Sequence, residues 1–184
     1  MPTTDSASDR YTRVAMALHW ILALALICQI GLGWYLGEVP RGTPARTLWV
    51  NFHKSVGITL AVLILFRIYW RLTHAAPPLP AAMATWQKKA ALVSHAGLYA
   101  CMFLMPLTGY LASNFSKFGI KYFNSIVLPP WGPDDKQLYT IFNTAHGVIS
   151  FVFVALIAIH VLAAISHLVN RSDGVFRRML PGRG

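Results

Sequence analysis

The sequence predicts an all-α protein: an integral membrane four-helix bundle with both termini in the cytoplasm. Three observations lead to this prediction. Hydrophobic residues make up 55% of the chain and charged residues only 12%, which is about half the charged share of soluble domains. Four apolar stretches are long enough to cross a bilayer, and most Lys and Arg residues lie at or beyond their ends.

Each predicted span has about 20 mostly apolar residues, the length that a helix needs to cross the hydrocarbon layer at roughly 1.5 Å per residue. The spans run approximately over residues 14–36, 51–71, 90–112 and 140–169, within a single membrane domain that covers residues 1–184. The second span is the least apolar, because His53 and Lys54 open it and Arg67 and Arg71 close it. The third contains Pro106, which is expected to kink its helix.

The orientation follows from the distribution of positive charge. With four spans, both termini lie on the same side as the loop between spans two and three. That side carries ten Lys and Arg: Arg10, Arg13, Arg67, Arg71, Lys88, Lys89, Arg171, Arg177, Arg178 and Arg183. The other side carries six: Arg41, Arg46, Lys54, Lys117, Lys121 and Lys136. The positive-inside rule therefore predicts that the termini are cytoplasmic.

The composition excludes several classes of function. The chain has only six Asp and Glu, and none lies inside a predicted span, which argues against carboxylate-bridged metal centres, Ca²⁺ loops and glycosidase acid pairs. The net charge of +10 is spread over the loops, so a nucleic-acid partner is not expected. Because the sequence contains no Cys-x-x-Cys-His motif, any haem would be held without covalent attachment.

Histidine is the most informative residue type, because six of the seven lie inside predicted spans, where a polar side chain is costly without a partner. His146 and His160 are 14 residues apart on span four, about 40° apart around the helix and roughly 21 Å apart along it. Antiparallel threading puts His19 at the depth of His160 and His53 at the depth of His146. The sequence therefore predicts two histidine pairs, one in each leaflet.

Paired imidazoles inside an apolar bundle are typical of axial ligands to haem iron. Gly31, Gly33, Gly57 and Gly147 lie near them in the sequence and would let a flat macrocycle approach the backbone, although small residues also mediate plain helix packing. A zinc or copper site would need three or four ligands at one depth. A proton-relay transporter is the other competitor, but such relays usually include Asp or Glu.

Two further histidines and three arginines are candidates for binding roles on the cytoplasmic side. His95 and His167 could donate a hydrogen bond and a proton to a quinone carbonyl, or could bond a haem propionate or the headgroup zone. Arg13, Arg67 and Arg71 could pair with propionates, or could extend to lipid phosphates.

Several segments resemble one protein family in sequence and order. They are RYTRVAMALHW entering span one, NFHKSVGI entering span two, SHAGLYACMFLMPLTG along span three, FNTAHGVISFVFVALIAIHVLAAISHLVN for span four, and the closing RRMLP. Together they resemble the bacterial cytochrome b561 family of four-helix, di-haem b membrane proteins, and especially its superoxide oxidase branch. The resemblance extends over nearly the whole chain.

This resemblance implies that His53 and His146 bind the outer haem iron and that His19 and His160 bind the inner one, in agreement with the depth argument. It implies two haem b groups, a quinone site at His95 and His167, and a bacterial inner-membrane location. It further implies that superoxide is oxidised at the periplasmic face and that ubiquinone is reduced near the cytoplasm. The six outer cations could draw in the superoxide anion, or could form a solvated, lipid-facing rim.

Two alternatives stay open at this point. The chain could be an electron-transfer subunit that links a periplasmic redox partner to the quinone pool, since the same ligand pattern would serve it. It could also be a haem-free membrane channel or packing protein.

Overall fold

The computed structural model describes residues 10–81, 83–169 and 174–180 of the chain. Four long helices dominate it: α1 (Arg13–Glu38), α2 (Pro44–Thr73), α3 (Thr85–Asn114) and α4 (Lys136–Val169). Two short strands, β1 (Ile120–Tyr122) and β2 (Ile126–Leu128), lie between α3 and α4, and a short 3₁₀ helix, Phe176–Met179, follows α4. We name the side of the bundle with the helix ends Arg13, Thr73, Thr85 and Val169 the inner side, and the opposite side the outer side.

All four helices are long and apolar enough to cross a membrane, so the predicted four-helix membrane bundle is confirmed. Each predicted span lies within one helix, and every helix extends beyond its span at one end or both. The cytoplasmic location of the inner side stays a prediction. Two of the cations behind it, Arg171 and Arg183, lie outside the described residues.

Local sequence explains where three of the helices begin. Thr12 and Thr43 cap α1 and α2, and each hydroxyl accepts a hydrogen bond from the backbone N–H three residues on. Asp135 precedes α4, and its carboxylate accepts from the N–H groups of Gln137 and Leu138 at 2.8 and 3.0 Å. Such side-chain acceptors satisfy backbone donors that have no partner within the helix.

The interior of the bundle lies midway between the two predicted histidine levels. Its buried centre contains side chains from all four helices: Leu22, Leu60, Ile64, Cys101, Met102 and Phe153. Phe153 is seven residues from His146 and seven from His160, and only 2% of it is exposed. A tightly packed apolar layer therefore separates the outer histidines from the inner ones.

The outward faces of the helices are apolar as well. Leu24 on α1, Leu92 on α3 and Phe151 on α4 are each about 70% exposed, and neighbouring exposed positions are also Leu, Ile, Val and Phe. A helix that is hydrophobic all round belongs in lipid or in a large core. This belt is the surface that the acyl chains cover.

The outer loop between α3 and α4 folds into an antiparallel hairpin that the all-α prediction did not include. Lys121 pairs with Val127 at its centre, and the turn uses Phe123 and Asn124 with positive φ of 45° and 59°. Side chains of α2 hold this turn: the Phe123 N–H donates to Ser55 Oγ at 2.7 Å, and the Asn51 amide donates to Asn124 Oδ1 at 3.3 Å. The hairpin thus lies along the outer half of α2.

The 3₁₀ helix closes the inner side of the bundle. The Trp20 indole N–H donates to the carbonyl of Met179 at 2.8 Å, and the Tyr11 N–H donates to the carbonyl of Arg178 at 3.3 Å. The Arg178 guanidinium donates to the carbonyl of Pro78. This segment therefore connects α1, the N-terminal residues and the loop between α2 and α3.

Candidate haem-binding sites and their surroundings

The outer histidines meet as the depth argument predicts. His53 on α2 and His146 on α4 place their ring centroids 6.4 Å apart, with the ring planes at 83°. A side chain at Gly33 would bring its Cβ to 3.4 Å from His53, and one at Gly109 would bring its Cβ to 3.1 Å from His146. Both imidazoles therefore lie against glycine backbone of a neighbouring helix.

His146 is held in one orientation by α3. Its Nδ1 lies 2.9 Å from the carbonyl oxygen of Met105 and 3.2 Å from Thr108 Oγ1. A carbonyl only accepts hydrogen bonds, so Nδ1 carries the proton and Nε2 keeps a free lone pair. Histidines that bind metals usually show this arrangement, in which the second ring nitrogen donates to a carbonyl.

The inner side brings three histidines together. His19 on α1 and His160 on α4 have ring centroids 6.1 Å apart, and His95 on α3 approaches His160 to 5.6 Å. The predicted His19–His160 pair is thus present as a contact. His95 is exposed and approaches this pair from α3.

Arg67 of α2 reaches into this inner group. Its guanidinium lies 3.3 Å from His19 Nδ1, donates to the carbonyl of Ala15 at 3.3 Å and lies over the ring of Tyr99. Because arginine only donates, His19 Nδ1 is the acceptor in this arrangement. Iron binding through His19 Nε2 would require the proton on Nδ1, so Arg67 would have to turn away from that atom.

The two pairs have the spacing that an iron atom between two imidazoles requires. A ring nitrogen binds the metal at about 2 Å, so two axial ligands place their ring centroids roughly 6 Å apart. The outer and inner pairs, at 6.4 and 6.1 Å, both fit. Within the described ranges no three His, Cys, Asp or Glu side chains converge as at a tetrahedral zinc site. The centroid spacing is therefore compatible with one iron atom between the rings of each pair, and His95 has a similar spacing from His160, at 5.6 Å.

The two quinone candidates lie in different surroundings. His167 lines a cavity of about 270 Å³ between the end of α4 and the 3₁₀ helix, together with Phe176 and Arg177. His95 is instead part of the inner histidine group. Both are on the inner side, as predicted, but they do not line the same cavity.

The arginines expected near propionates also differ from one another. Arg67 and Arg71 line one inner cleft with Trp70 and Tyr99, while Arg13 at the start of α1 is exposed. Only Arg67 is within hydrogen-bonding distance of a histidine in the described contacts. Pairing of these side chains with propionates stays a prediction.

The six outer cations are not all free to interact with an anion in solution. The Arg46 guanidinium donates to the carbonyls of Leu36 and Val39 and so closes the end of α1. Lys54 Nζ donates to the carbonyl of Gly119 at 3.0 Å and is partly buried. Arg41, Lys117, Lys121 and Lys136 are exposed. These four remain available to interact with an anion in solution.

Two residues beside the histidines were not predicted from the sequence. Gln29 on α1 donates from Nε2 to the carbonyl of His53 at 2.8 Å, and Gly109 packs against the ring of His146. Gln29 carried a signal, because a lone amide inside an apolar span needs a partner. Gly109 had only the general signal of a small residue within a helix, which does not reveal its neighbour.

Comparison with known proteins gives a consistent result. A family model described as prokaryotic cytochrome b561 matches residues 10–182. Cytochrome b561 homolog 1 of Escherichia coli is 26% identical over 175 residues, which cover 95% of this chain and 99% of that protein. Cytochrome b561 homolog 2 of the same organism is 26% identical over 173 residues, 94% of this chain and 92% of that protein. Probable superoxide oxidase CybB of Yersinia pestis is 24% identical over 180 residues, covering 94% and 96%.

The family match covers nearly the whole chain and includes both histidine pairs. The four apolar helices provide the multi-pass membrane topology that such a protein needs. The chain belongs to the prokaryotic cytochrome b561 family of bacterial membrane proteins, which bind haem b and transfer electrons.

Proposed function

We propose that this protein is a superoxide:ubiquinone oxidoreductase with two haem b groups. His53 and His146 would hold the outer haem, and His19 and His160 the inner one. When bound, the two iron porphyrins would accept and release one electron at a time. The protein itself fixes the ligands, excludes water and sets the separation of the two centres.

The observation that carries the proposal is the repetition of one geometry at two depths. Both pairs use a histidine of α4, and their centroid distances differ by only 0.3 Å, from 6.4 to 6.1 Å. The spacing of 14 residues on α4 corresponds to roughly 21 Å along the helix. Two histidine pairs of similar spacing at two depths of a bilayer suit electron transfer from one face to the other.

Superoxide as the donor is supported by charge and by one relative. Exposed Arg41, Lys117, Lys121 and Lys136 make the outer side attractive to a small anion, and a relative of nearly equal length is named a probable superoxide oxidase. The balanced reaction converts two superoxide anions into two dioxygen molecules. Ubiquinone takes up the two electrons and two protons and leaves as ubiquinol.

The inner side offers groups that could serve the quinone. His167 lines a cavity beside the 3₁₀ helix, and an imidazole there could donate a hydrogen bond to a quinone carbonyl and deliver a proton on reduction. His95, beside His160, is the second candidate. The cytoplasm would supply the protons.

The direct test is quinone reduction by the purified protein with enzymatically generated superoxide as the only donor. We expect turnover that added superoxide dismutase abolishes and that falls as ionic strength rises, because salt screens attraction between exposed charges. The Lys117→Gln and Lys121→Gln double variant should lower kcat/KM for superoxide by about two- to tenfold at low salt. The Lys88→Gln and Lys89→Gln double variant makes the same charge change on the inner side and should leave it unchanged.

Absence of turnover with superoxide from a protein that carries haem would contradict this donor. It would favour the second function, in which the protein links a periplasmic redox partner to the quinone pool. Equal losses in the two double variants would contradict steering at the outer side.

The quinone assignment has a separate test in the His167→Ala variant. It should keep the haem content of the parent and lose about tenfold or more of its quinone-reduction rate, because a positioned proton donor is removed. His74→Ala is the matched control, since His74 lies on the same side and stacks on Trp70. Unchanged turnover in His167→Ala would remove this residue from the quinone site.

A further inference from the structure

Gln29 is a polar residue in the outer half of α1, within the mostly apolar segment from Trp20 to Gly37. A side-chain amide inside a membrane span is costly unless its donors and acceptor are matched. Its Nε2 donates to the carbonyl of His53 at 2.8 Å. The bond fixes the amide orientation, because only the nitrogen can donate to a carbonyl.

The amide oxygen of Gln29 has no hydrogen-bond donor in the described part of the chain. In the described part of the chain, Gln29 Oε1 and His53 Nδ1 are the buried side-chain polar atoms that lack a hydrogen-bond partner. One is an acceptor, and the other can carry a proton. They belong to two residues that already touch through the bond between Nε2 and the His53 carbonyl.

A glycine of the opposite helix faces each of these two polar side chains. Gly57 lies one turn beyond His53, and a Cβ there would come to 3.5 Å from Gln29 Nε2. Gly33 lies one turn beyond Gln29, and a Cβ there would come to 3.4 Å from His53 Cε1. Each polar side chain therefore packs against a glycine of the opposite helix, at a distance where a Cβ would be in ordinary van der Waals contact with it.

The outer partner, His146, has a hydrogen bond at Nδ1, and His53 lacks one. His146 Nδ1 has a carbonyl acceptor at 2.9 Å, and that bond leaves Nε2 for a metal. Metal-binding histidines almost always donate from the second ring nitrogen, and this donation fixes the ring and raises the basicity of the ligand. For His53 the described contacts offer one unmatched buried acceptor of this kind, the Gln29 amide oxygen.

We propose that Gln29 is the positioning residue of His53. Its Nε2 holds the backbone turn that carries the histidine, and its Oε1 accepts the imidazole N–H when the opposite ring nitrogen binds iron. The inference rests on the proposed function in one respect, namely that His53 is a ligand of the outer haem. Gln29 would then tune that haem alone, because the inner histidines lie on the other side of the Phe153 layer.

The test compares two variants of the haem-loaded protein by redox titration of each haem. Gln29→Met keeps the length of the side chain but removes both the donor and the acceptor, whereas Gln29→Glu removes only the donor, so the difference between them reports the acceptor. Without the acceptor, the imidazole would donate less charge to iron. At a fixed ambient potential, we expect the reduced-to-oxidised ratio of the outer haem to rise about tenfold, which corresponds to about 59 mV for one electron. Gln29→Glu keeps an acceptor, so its outer haem should titrate at or below the parent potential.

Gln137→Glu is the matched control, because it makes the same chemical change at an exposed outer position of α4. It should leave both potentials as in the parent. The low-spin EPR signal of the outer haem, which would depend on the angle between the two imidazole rings, should change more in Gln29→Met than in Gln29→Glu.

The outcomes distinguish the positioning role of Gln29 from the assignment of His53 as a haem ligand. If Gln29→Met loses only the outer haem while Gln29→Glu retains it, positioning by an acceptor is supported. If Gln29→Met keeps both haems with unchanged potentials, or if both variants shift the outer haem in the same direction, the inference is overturned. If His53→Ala retains the full haem content, the ligand assignment itself fails, and that failure is independent of Gln29.

Discussion

The His146→Ala variant is expected to lose the outer haem and to retain the inner one. His146 is the α4 member of the outer pair, and its ring is oriented by Met105 and Thr108 of α3. In the proposed arrangement, removing it would leave His53 as a single ligand, whereas the inner pair of His19 and His160 lies beyond the buried Phe153 layer. The haem-to-protein ratio should therefore fall to about half of its parent value.

The reciprocal variant is the control for this result. His160→Ala removes the α4 member of the inner pair and should leave the outer haem with its parent reduction potential. Redox titration of the b-type absorption band measures both variants. Loss of both haems in either variant, or of neither, would contradict the assignment of one pair to each haem.

The Phe153→Ala variant is expected to lower the free energy of unfolding strongly. Phe153 is 2% exposed and packs in the centre of the bundle, so truncation leaves a cavity that the surrounding helices fill only in part. Comparable Phe→Ala substitutions in protein cores cost about 3–5 kcal/mol. In a membrane the loss comes from missing van der Waals contacts, because burial from water does not drive helix association there.

Reversible unfolding in detergent micelles measures this loss. Phe151→Ala is the matched control, since Phe151 lies on the same helix but is 72% exposed toward the acyl chains. Its free energy of unfolding should stay within about 0.5 kcal/mol of the parent value. Equal losses in the two variants would contradict the central role of the Phe153 layer.

The helices and the histidine pairs could be predicted from the sequence because both depend on local regularities. Span length follows from the bilayer thickness. The match of His19 with His160, and of His53 with His146, follows from counting residues along antiparallel helices. No distant contact needs to be known for either prediction.

The hairpin could not be predicted in the same way. Its strands have three residues each, and its turn is held by Asn51 and Ser55, which lie about 70 residues earlier in the chain. Likewise, nothing local shows that Arg46 closes the end of α1 or that Arg67 approaches His19. These features depend on how the helices pack, which periodicity alone does not fix.

The hairpin also limits how deeply the outer end of α2 can enter the bilayer. Its backbone runs beside α2 from Leu48, which accepts from Asn124, to Ser55, and non-helical backbone is not tolerated facing the hydrocarbon. The remainder of α2, Val56 to Thr73, is about 27 Å long, close to the roughly 30 Å of a bilayer core. His53 therefore lies near the outer end of the membrane-spanning part of α2, and a solute on the outer side reaches its level without crossing the bilayer core.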